Sequence, residues 1–325
     1  MNGLPRILVL HGDNIGDRNQ AESLAKLMGW PYQMEKLHPP RRPRMPKVAG
    51  PVPDAVIVVT AIGMDIALKM NQQLNRPMKI IKMGHAEKVE SADLNIVTGR
   101  GWKPPRGTIV YQHLPFSMVD ADQMDRAISD FPDLQHLPQP RIAALIGGRN
   151  RYFQWGPEIA RALGNRLNAA AAAVSGSLLL TTSYRTGDEC SDALLAEIKV
   201  PHAFYRWGKD SQPNPLMAYL AYADRIVVTI ESVAMVADAL NSGKPVSVYR
   251  LQPKRFELLK TIAEWFIPVS QRTAVIRTLL KSGEISWFDD AAVQPKIDYR
   301  GRYSAAVDAA RKLVVEENPA RPQLG

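Results

Sequence analysis

Short aliphatic runs, each closed by a polar loop and followed by a stretch of helical periodicity, recur along nearly the whole chain, and this alternation leaves few folds open. A strand that is apolar at every position has to be covered on both faces, and helices returning between such strands build a parallel sheet. The first series opens with RILVL at 6–10, the loop HGDNIGDRNQ, and AESLAKLMG. Ala21, Leu24, Ala25, Leu27 and Met28 share one helical face there, and Gly29 stops the helix. Further strands are expected at 54–60, 79–83, 94–97 and 108–111, with helices at 63–75 and 119–130. A second series starts at Arg141, with strands at 142–146, 178–182, 203–207, 225–229 and 246–249. Its helices are expected at 157–173, 189–197, 216–223, 232–241, 255–267, 272–280 and 302–316.

Between the two series, residues 131–140 contain Pro132, Pro138 and Pro140 and no periodicity, so the linker is placed there. A chain of 325 residues exceeds the ~100–150 of one typical domain. The expected division is 1–135, 136–300, and a terminal helix and tail at 301–325 that packs back on the first domain. The fold class is α/β, two Rossmann-like domains with mainly parallel sheets. The lone cysteine, Cys190, allows no internal disulfide or thiolate metal cluster and fits a reducing cytosol. No apolar run approaches the ~20 residues that span a bilayer, and no secretory pattern opens the chain. The expected location is therefore cytoplasmic.

The net charge of +9 is concentrated early: residues 1–110 hold 16 Lys/Arg against 9 Asp/Glu. Lys36, Arg41, Arg42, Arg44 and Lys47 fall within 36–47 without an acid, and four prolines keep that stretch extended. Such a loop attracts anionic surfaces, so peripheral contact with an anionic membrane through residues 36–47 is one expectation and a merely solubilising surface the other. Nucleic acid is not expected, because no aromatic platform interleaves with the charges.

Ligands of open α/β sheets sit at the carboxyl ends of strands. In VVTIESVAMVADALNSGKPVSVY, Thr229 ends a strand, and Glu231 and Ser232 stand where a helix begins. Ser232 can cap the helix amides, which also form an anion site. Asp238 lies six residues on, ~9 Å along a helix, a separation comparable to that between a diphosphate and a ribose hydroxyl. An ordinary capped helix with a solvent-facing Asp explains the same residues. Gly147 and Gly148 end the first strand of this series and let a ligand approach the backbone closely, and Arg149 or Arg151 would meet phosphate charge. Ser183 and Arg185 follow the next strand, and Arg185 offers a planar fork of donors. Trp207 would flank a base or pack in the core. Asn214-Pro215 reads as a helix start.

In the first series, Asp13 and Asp17 share a loop with Gly12 and Gly16 that matches neither GxGxxG nor GxxxxGK[ST]. Either carboxylate would serve as a base for an acceptor hydroxyl or satisfy loop amides. His85 and His113 also follow strands and are alternative bases. The six histidines lack metal-ligand spacing, and no GxSxG elbow is present.

The segment RIVVTIESVAMVADALNSGKPVSV at 225–248 resembles the mitochondrial-fission-protein-like family, bacterial and plant proteins predicted to be glycosyltransferases. Gly147-Gly148 with Phe153 and Trp155, Ser183 with Arg185, Asn214-Pro215, and Gly16 with Gln20 extend the likeness from about residue 6 to about 315. The resemblance implies two Rossmann-like domains facing a cleft (GT-B type), with the nucleotide-sugar donor held by the second domain. It is more distantly similar to the bacterial lipid-linked N-acetylglucosamine transferase, in which an acid on the equivalent helix holds the ribose, as Asp238 would here. This chain has Asp17 where the family has His, Glu231 where Asp is usual, and Tyr184 where Arg is usual.

The implied activity moves a sugar from a nucleotide-sugar to a glycan, lipid-linked or cell-envelope acceptor. Catalysis would fall to Asp17 or His85, and the donor to Gly147, Gly148, Arg149, Ser183, Arg185, Trp207, Glu231, Ser232 and Asp238. No tightly bound cofactor is expected, and no DxD-like pair at a strand end suggests a metal. The alternatives are a non-catalytic scaffold on the same fold and a sugar-nucleotide epimerase.

Overall fold

The computed structural model describes residues 4–37, 46, 48, 50–84, 89–98, 108–112, 114–150, 152–210, 213–254, 271–290 and 303–316. The chain forms two compact units, one from residues 1–118 and 301–325, the other from 119–300.

The first unit is built on β1 (Ile7–His11), β2 (Tyr32–Lys36), β3 (Ala55–Val58), β4 (Lys79–Met83), β5 (Leu94–Thr98) and β6 (Thr108–Gln112). They form one parallel sheet in the order β2-β1-β3-β4-β5-β6. Alternate residues of each central strand enter opposite cores. Ile7, Val9, Ile57 and Ile81 pack on one face, and Leu8, Leu10, Val58 and Ile80 on the other. That double burial is why these strands read as unbroken apolar runs.

Helix α1 (Ile15–Met28) begins at Asn14, whose side chain accepts from Gly16 and Asp17 N–H, and ends at Gly29 with φ 71°. Helix α2 (Ala61–Gln72) begins at Thr60, whose hydroxyl accepts from Gly63 N–H. Tyr303 lies on the first core, stacked on Phe116 with 4.7 Å between ring centroids and donating to the Pro115 carbonyl at 2.9 Å.

The second unit carries α3 (Ala121–Asp130), β7 (Arg141–Ile146), α4 (Pro157–Ala172), β8 (Ser177–Thr182), α5 (Asp188–Leu195), β9 (His202–Tyr205) and α6 (Leu216–Tyr222). It continues with β10 (Arg225–Thr229), α7 (Val233–Asn241), β11 (Val246–Tyr249), α8 (Gln271–Lys281) and β12 (Ser286–Trp287). Its parallel sheet runs β12-β11-β10-β7-β8-β9. The winding direction reverses between β7 and β10, and the crevice above such a reversal is where ligands of this architecture sit. In the first sheet the reversal lies between β1 and β3.

The fold class is the α/β class that the sequence implies, with two parallel six-stranded sheets. Two strands are absent from the sequence expectation. β2 is a partly exposed edge strand of mixed character, YQMEK, and β12 is two residues long. Helix α3 packs against α6, and the change of unit falls at Met118/Val119. The 131–140 segment contains a short 3-10 helix, Pro132–His136, before β7. The final helix, α9 (Ser304–Glu316), packs on the first sheet and on α1. The helix expected at 255–267 lies outside the described residues, as do His85, His113, Arg151, Arg41, Arg42, Arg44 and Lys47.

Candidate functional site at the carboxyl edge of the second sheet

Three loops meet above the reversal point of the second sheet: 147–156 after β7, 183–187 after β8, and 230–232 after β10. Hydrogen bonds fix them to one another. Gly147 N–H donates to Thr229 Oγ at 2.8 Å, and Gly148 N–H donates to Glu231 Oε1 at 2.5 Å. Arg149 N–H donates to the Arg185 carbonyl at 2.9 Å. The Thr186 hydroxyl reaches the carbonyls of Ile146, at 3.1 Å, and Gly147, and accepts from Ser183 N–H at 2.9 Å. Trp155 Nε1–H donates to the Thr186 carbonyl at 3.0 Å.

The two glycines follow from this packing. A Cβ on Gly147 would overlap the Glu231 carboxyl, and one on Gly148 the backbone at Arg185–Thr186. Only glycine lets the three loops close to this distance.

Most of the sequence-predicted donor residues gather here. Gly147, Gly148, Glu231 and Ser232 are buried, Ser183 and Arg185 half-buried, and Arg149 exposed. The Arg185 guanidinium lies 5.9 Å from the ring centre of Tyr184, which is 57% exposed at the loop tip. Trp207 is half-buried, tied to the same edge by its N–H, which donates to Thr182 Oγ at 3.0 Å. Asp238 is half-buried on α7 and has an interaction partner.

Ser232 stands at the N-cap of α7, yet its side chain makes no capping bond, so the first-turn amides of α7 have no side-chain cap. Helices α4 and α5 also start at this edge from Gly156 and Gly187 without a side-chain cap. In the first unit, α1 and α2 are both capped by side chains. Uncapped helix starts leave partial positive charge and donors at the carboxyl edge of the second sheet.

Glu231 is 4% exposed. Burial raises the pKa of its carboxyl, against the opposing pull of its own backbone N–H, the Gly148 amide, Arg185 and Thr229. Thr229 Oγ–H lies 3.2 Å from the same Oε1 that Gly148 uses, while Oε2 is buried with no hydrogen-bond partner.

The remaining predicted residue within the described set, Asp17, belongs to the first unit. It is in the first turn of α1, where a carboxylate complements the helix dipole, and its N–H is held by Asn14. Asp13 forms an ion pair with Lys36 at 2.8 Å. Two side chains at this edge were not singled out from the sequence. His11 ends β1 almost wholly buried, its Nδ1 2.9 Å from the Gly12 carbonyl oxygen. Lys82 is buried on β4, its ammonium donating to the carbonyls of Val59 at 2.7 Å and Met83 at 2.9 Å. Neither sits in a recognisable motif. Thr186 likewise has no signal beyond its place after a strand.

Away from these loops, the second unit has a cavity of about 420 Å³ between α4 and the ends of β11 and β12. Arg166 and Asp289 form an ion pair on its wall, and Arg250 covers Trp287 at 4.1 Å from the ring centre. Among the described residues, no three His, Cys, Asp or Glu side chains gather as metal ligands would, and no helix is long and apolar enough to cross a membrane.

The family model described as Mitochondrial fission ELM1 matches residues 15–264. The chain belongs to this family. A relative from Arabidopsis thaliana, the mitochondrial fission protein ELM1, is 30% identical over 154 residues, covering 46% of this chain and 36% of the plant protein. The chain thus matches about a third of that relative's length. A crystal structure of a glycosyltransferase from Rickettsia africae is similar with a TM-score of 0.51 at 10% identity, covering 98% of this chain and all of that one. At that identity the likeness shows the fold, which is of the GT-B type. A UDP-GlcNAc 2-epimerase from Neisseria meningitidis, bound to UDP-GlcNAc, aligns with a TM-score of 0.47 at 12% identity over 96% of this chain and 98% of that one.

Proposed function

We propose that the protein is a glycosyltransferase whose second unit binds a nucleotide-sugar at the carboxyl edge of its sheet. The observation that carries this reading is the uncapped start of α7 at the β7/β10 reversal point, next to Glu231, whose carboxyl feels the Arg185 charge. A diphosphate there would receive the α7 amides and the guanidinium together. The same groups would stabilise charge developing on the leaving phosphate as the glycosidic bond breaks. Asp238, on the same helix, would hold the ribose, and Trp207 would flank the base.

The acceptor would be a glycan or lipid-linked molecule on the side of the first unit. Asp17 or His85 would orient or deprotonate its hydroxyl. The basic residues of 36–47 would bring an anionic membrane surface close, and neutralising Arg41, Arg42 and Arg44 would then lower liposome association in a salt-dependent way.

A thermal-shift screen with UDP, GDP, ADP and CMP, followed by product analysis of the matching nucleotide-sugars by NMR, tests the reading. Stabilisation by one base, with sugar transferred to an acceptor, supports it. No stabilisation by any nucleotide overturns it.

A second reading, a non-catalytic scaffold, is favoured by one observation: Thr229 and Glu231 already occupy the amides of Gly147 and Gly148, closing part of the anion cradle. Binding without turnover in the same screen would select it.

A further inference from the structure

Two buried groups at the reversal point have incomplete bonding, the Asn150 side-chain amide in the β7 loop and the Glu231 carboxyl, and Glu231 is the ionisable one. Its Oε1 is held from two sides, by Gly148 N–H and Thr229 Oγ–H. Those bonds fix the carboxyl plane and with it the direction of Oε2, which lies on the other lobe of the same group. Oε2 is shut off from solvent and meets no donor or acceptor. A buried polar atom left in this condition loses its hydration without replacement, a cost proteins rarely leave uncompensated. An ionised carboxylate there would carry a second cost, that of a charge removed from water.

The surroundings do not cancel that charge. The β7 loop offers the Gly148 amide, β10 the Thr229 hydroxyl, and the residue its own backbone N–H; the Gly147 amide is taken by Thr229. The first turn of α7 contains no acidic residue, and no basic residue of α7 follows in its last turn. The 183–187 loop brings Arg185, whose field reaches the carboxyl without forming an ion pair with it. Burial outweighs that field and favours the protonated form. In that form Oε2 is a hydrogen-bond donor on the residue next to the uncapped start of α7; a ligand reaches it by displacing the groups that exclude solvent from it, and a neutral acid then meets a phosphate oxygen where a carboxylate would be repelled.

We infer that Glu231 meets a bound diphosphate as a neutral acid, donating Oε2–H to a phosphate oxygen, so that occupation of this crevice is linked to one proton. The inference rests on the reading above that the second unit holds a nucleotide diphosphate, and it assigns Glu231 a distinct role there. The carboxyl organises the Gly147-Gly148 loop through one oxygen and selects an anionic ligand through the other. The proton stays on Glu231 throughout, shared in a hydrogen bond, and no covalent bond is made or broken.

The test is calorimetric titration of the best-stabilising nucleoside diphosphate between about pH 5 and about pH 9, in buffers of differing ionisation enthalpy. Wild-type affinity should fall by about tenfold per pH unit once the pH exceeds the midpoint of the free carboxyl, with proton uptake on binding rising toward one. Glu231→Gln retains an oxygen for Gly148 and places an amide N–H where Oε2–H stood. It should bind within about threefold of the wild type at the acidic end and lose this pH dependence. Glu231→Ala, lacking the donor, should bind about 10- to 100-fold more weakly at the acidic end.

The terminal phosphate of a nucleoside diphosphate titrates in the same window, so the count is repeated with the matching nucleotide-sugar, whose diphosphate carries no such proton; that count on the wild type keeps the test standing if Glu231→Gln folds poorly. Nucleotide binding with the same pH profile and the same proton uptake in wild type and Glu231→Gln would overturn the inference and leave the nucleotide site standing. Binding by the wild type with no proton uptake at any pH would do the same. Failure of every nucleoside diphosphate to bind would remove the site and the inference together.

Discussion

Replacing Thr186 by Val should loosen the loop cluster of the second sheet without opening a hole. The two side chains are nearly equal in volume, so the change isolates the hydroxyl. That hydroxyl is buried, 3.1 Å from the Ile146 carbonyl, in contact with the Gly147 carbonyl, and 2.9 Å from the Ser183 amide nitrogen. Valine leaves the Ser183 N–H and the Gly147 carbonyl without this partner. An orphaned buried group costs about 1–3 kcal/mol, so the expected loss is about 2–4 kcal/mol in the second unit. With a urea slope of about 1–3 kcal/mol per molar, the midpoint of that transition should fall by about 1 M or more. Trp155 donates to the Thr186 carbonyl and makes a local fluorescence probe. Thr186→Ser keeps the hydroxyl and should lose less than half as much. A loss below about 0.5 kcal/mol in Thr186→Val would refute the view that this hydroxyl ties the β7 and β8 loops together.

Other substitutions probe separate links. Gly147→Ala forces a methyl group against Glu231 and should destabilise the second unit by about 2 kcal/mol or more; in Gly147→Ala/Glu231→Ala the two costs should not add, and additive costs in urea unfolding would show that the two sites do not touch. The raised carboxyl of Glu231 has a sign that can be checked: its contribution to stability is full below the ordinary value of 4.5 and is lost as pH rises through the folded-state value. Thermal unfolding should therefore show wild type losing stability over that window relative to Glu231→Gln, and parallel curves would contradict it. Tyr303→Ala removes a buried ring stacked on Phe116 and should cost about 3–5 kcal/mol, confined to the first unit in hydrogen-exchange profiles. Asp238→Ala should weaken nucleotide binding by about 10- to 100-fold; unchanged affinity in calorimetry would remove Asp238 from the site.

The central strands were legible because burial on both faces writes an apolar run, as in ILVLH and AVIV. β2 was not, since an edge strand with partly exposed residues has no reason to be uniformly apolar. At the second sheet, the glycine pair reads as a place where a ligand comes close to the backbone. The groups that press against it are Glu231 and the backbone at Arg185–Thr186, which no local pattern could name. Ser232 marked the start of α7, but whether a serine at an N-cap donates its oxygen to the helix depends on the path of the chain around it, and here it does not. Lys82 illustrates the same limit. KIIKM reads as a strand with lysines at its first and fourth positions, and only the neighbouring carbonyls of Val59 and Met83 make room for a buried ammonium.

A crystal structure with the best-stabilising nucleoside diphosphate bound tests the assignment of the second unit most directly. Its diphosphate should lie against the first turn of α7, within hydrogen-bond reach of the Arg185 guanidinium and of Glu231 Oε2. Density for the nucleotide in the cavity beside Arg166 and Trp287, or on the first sheet, would contradict it.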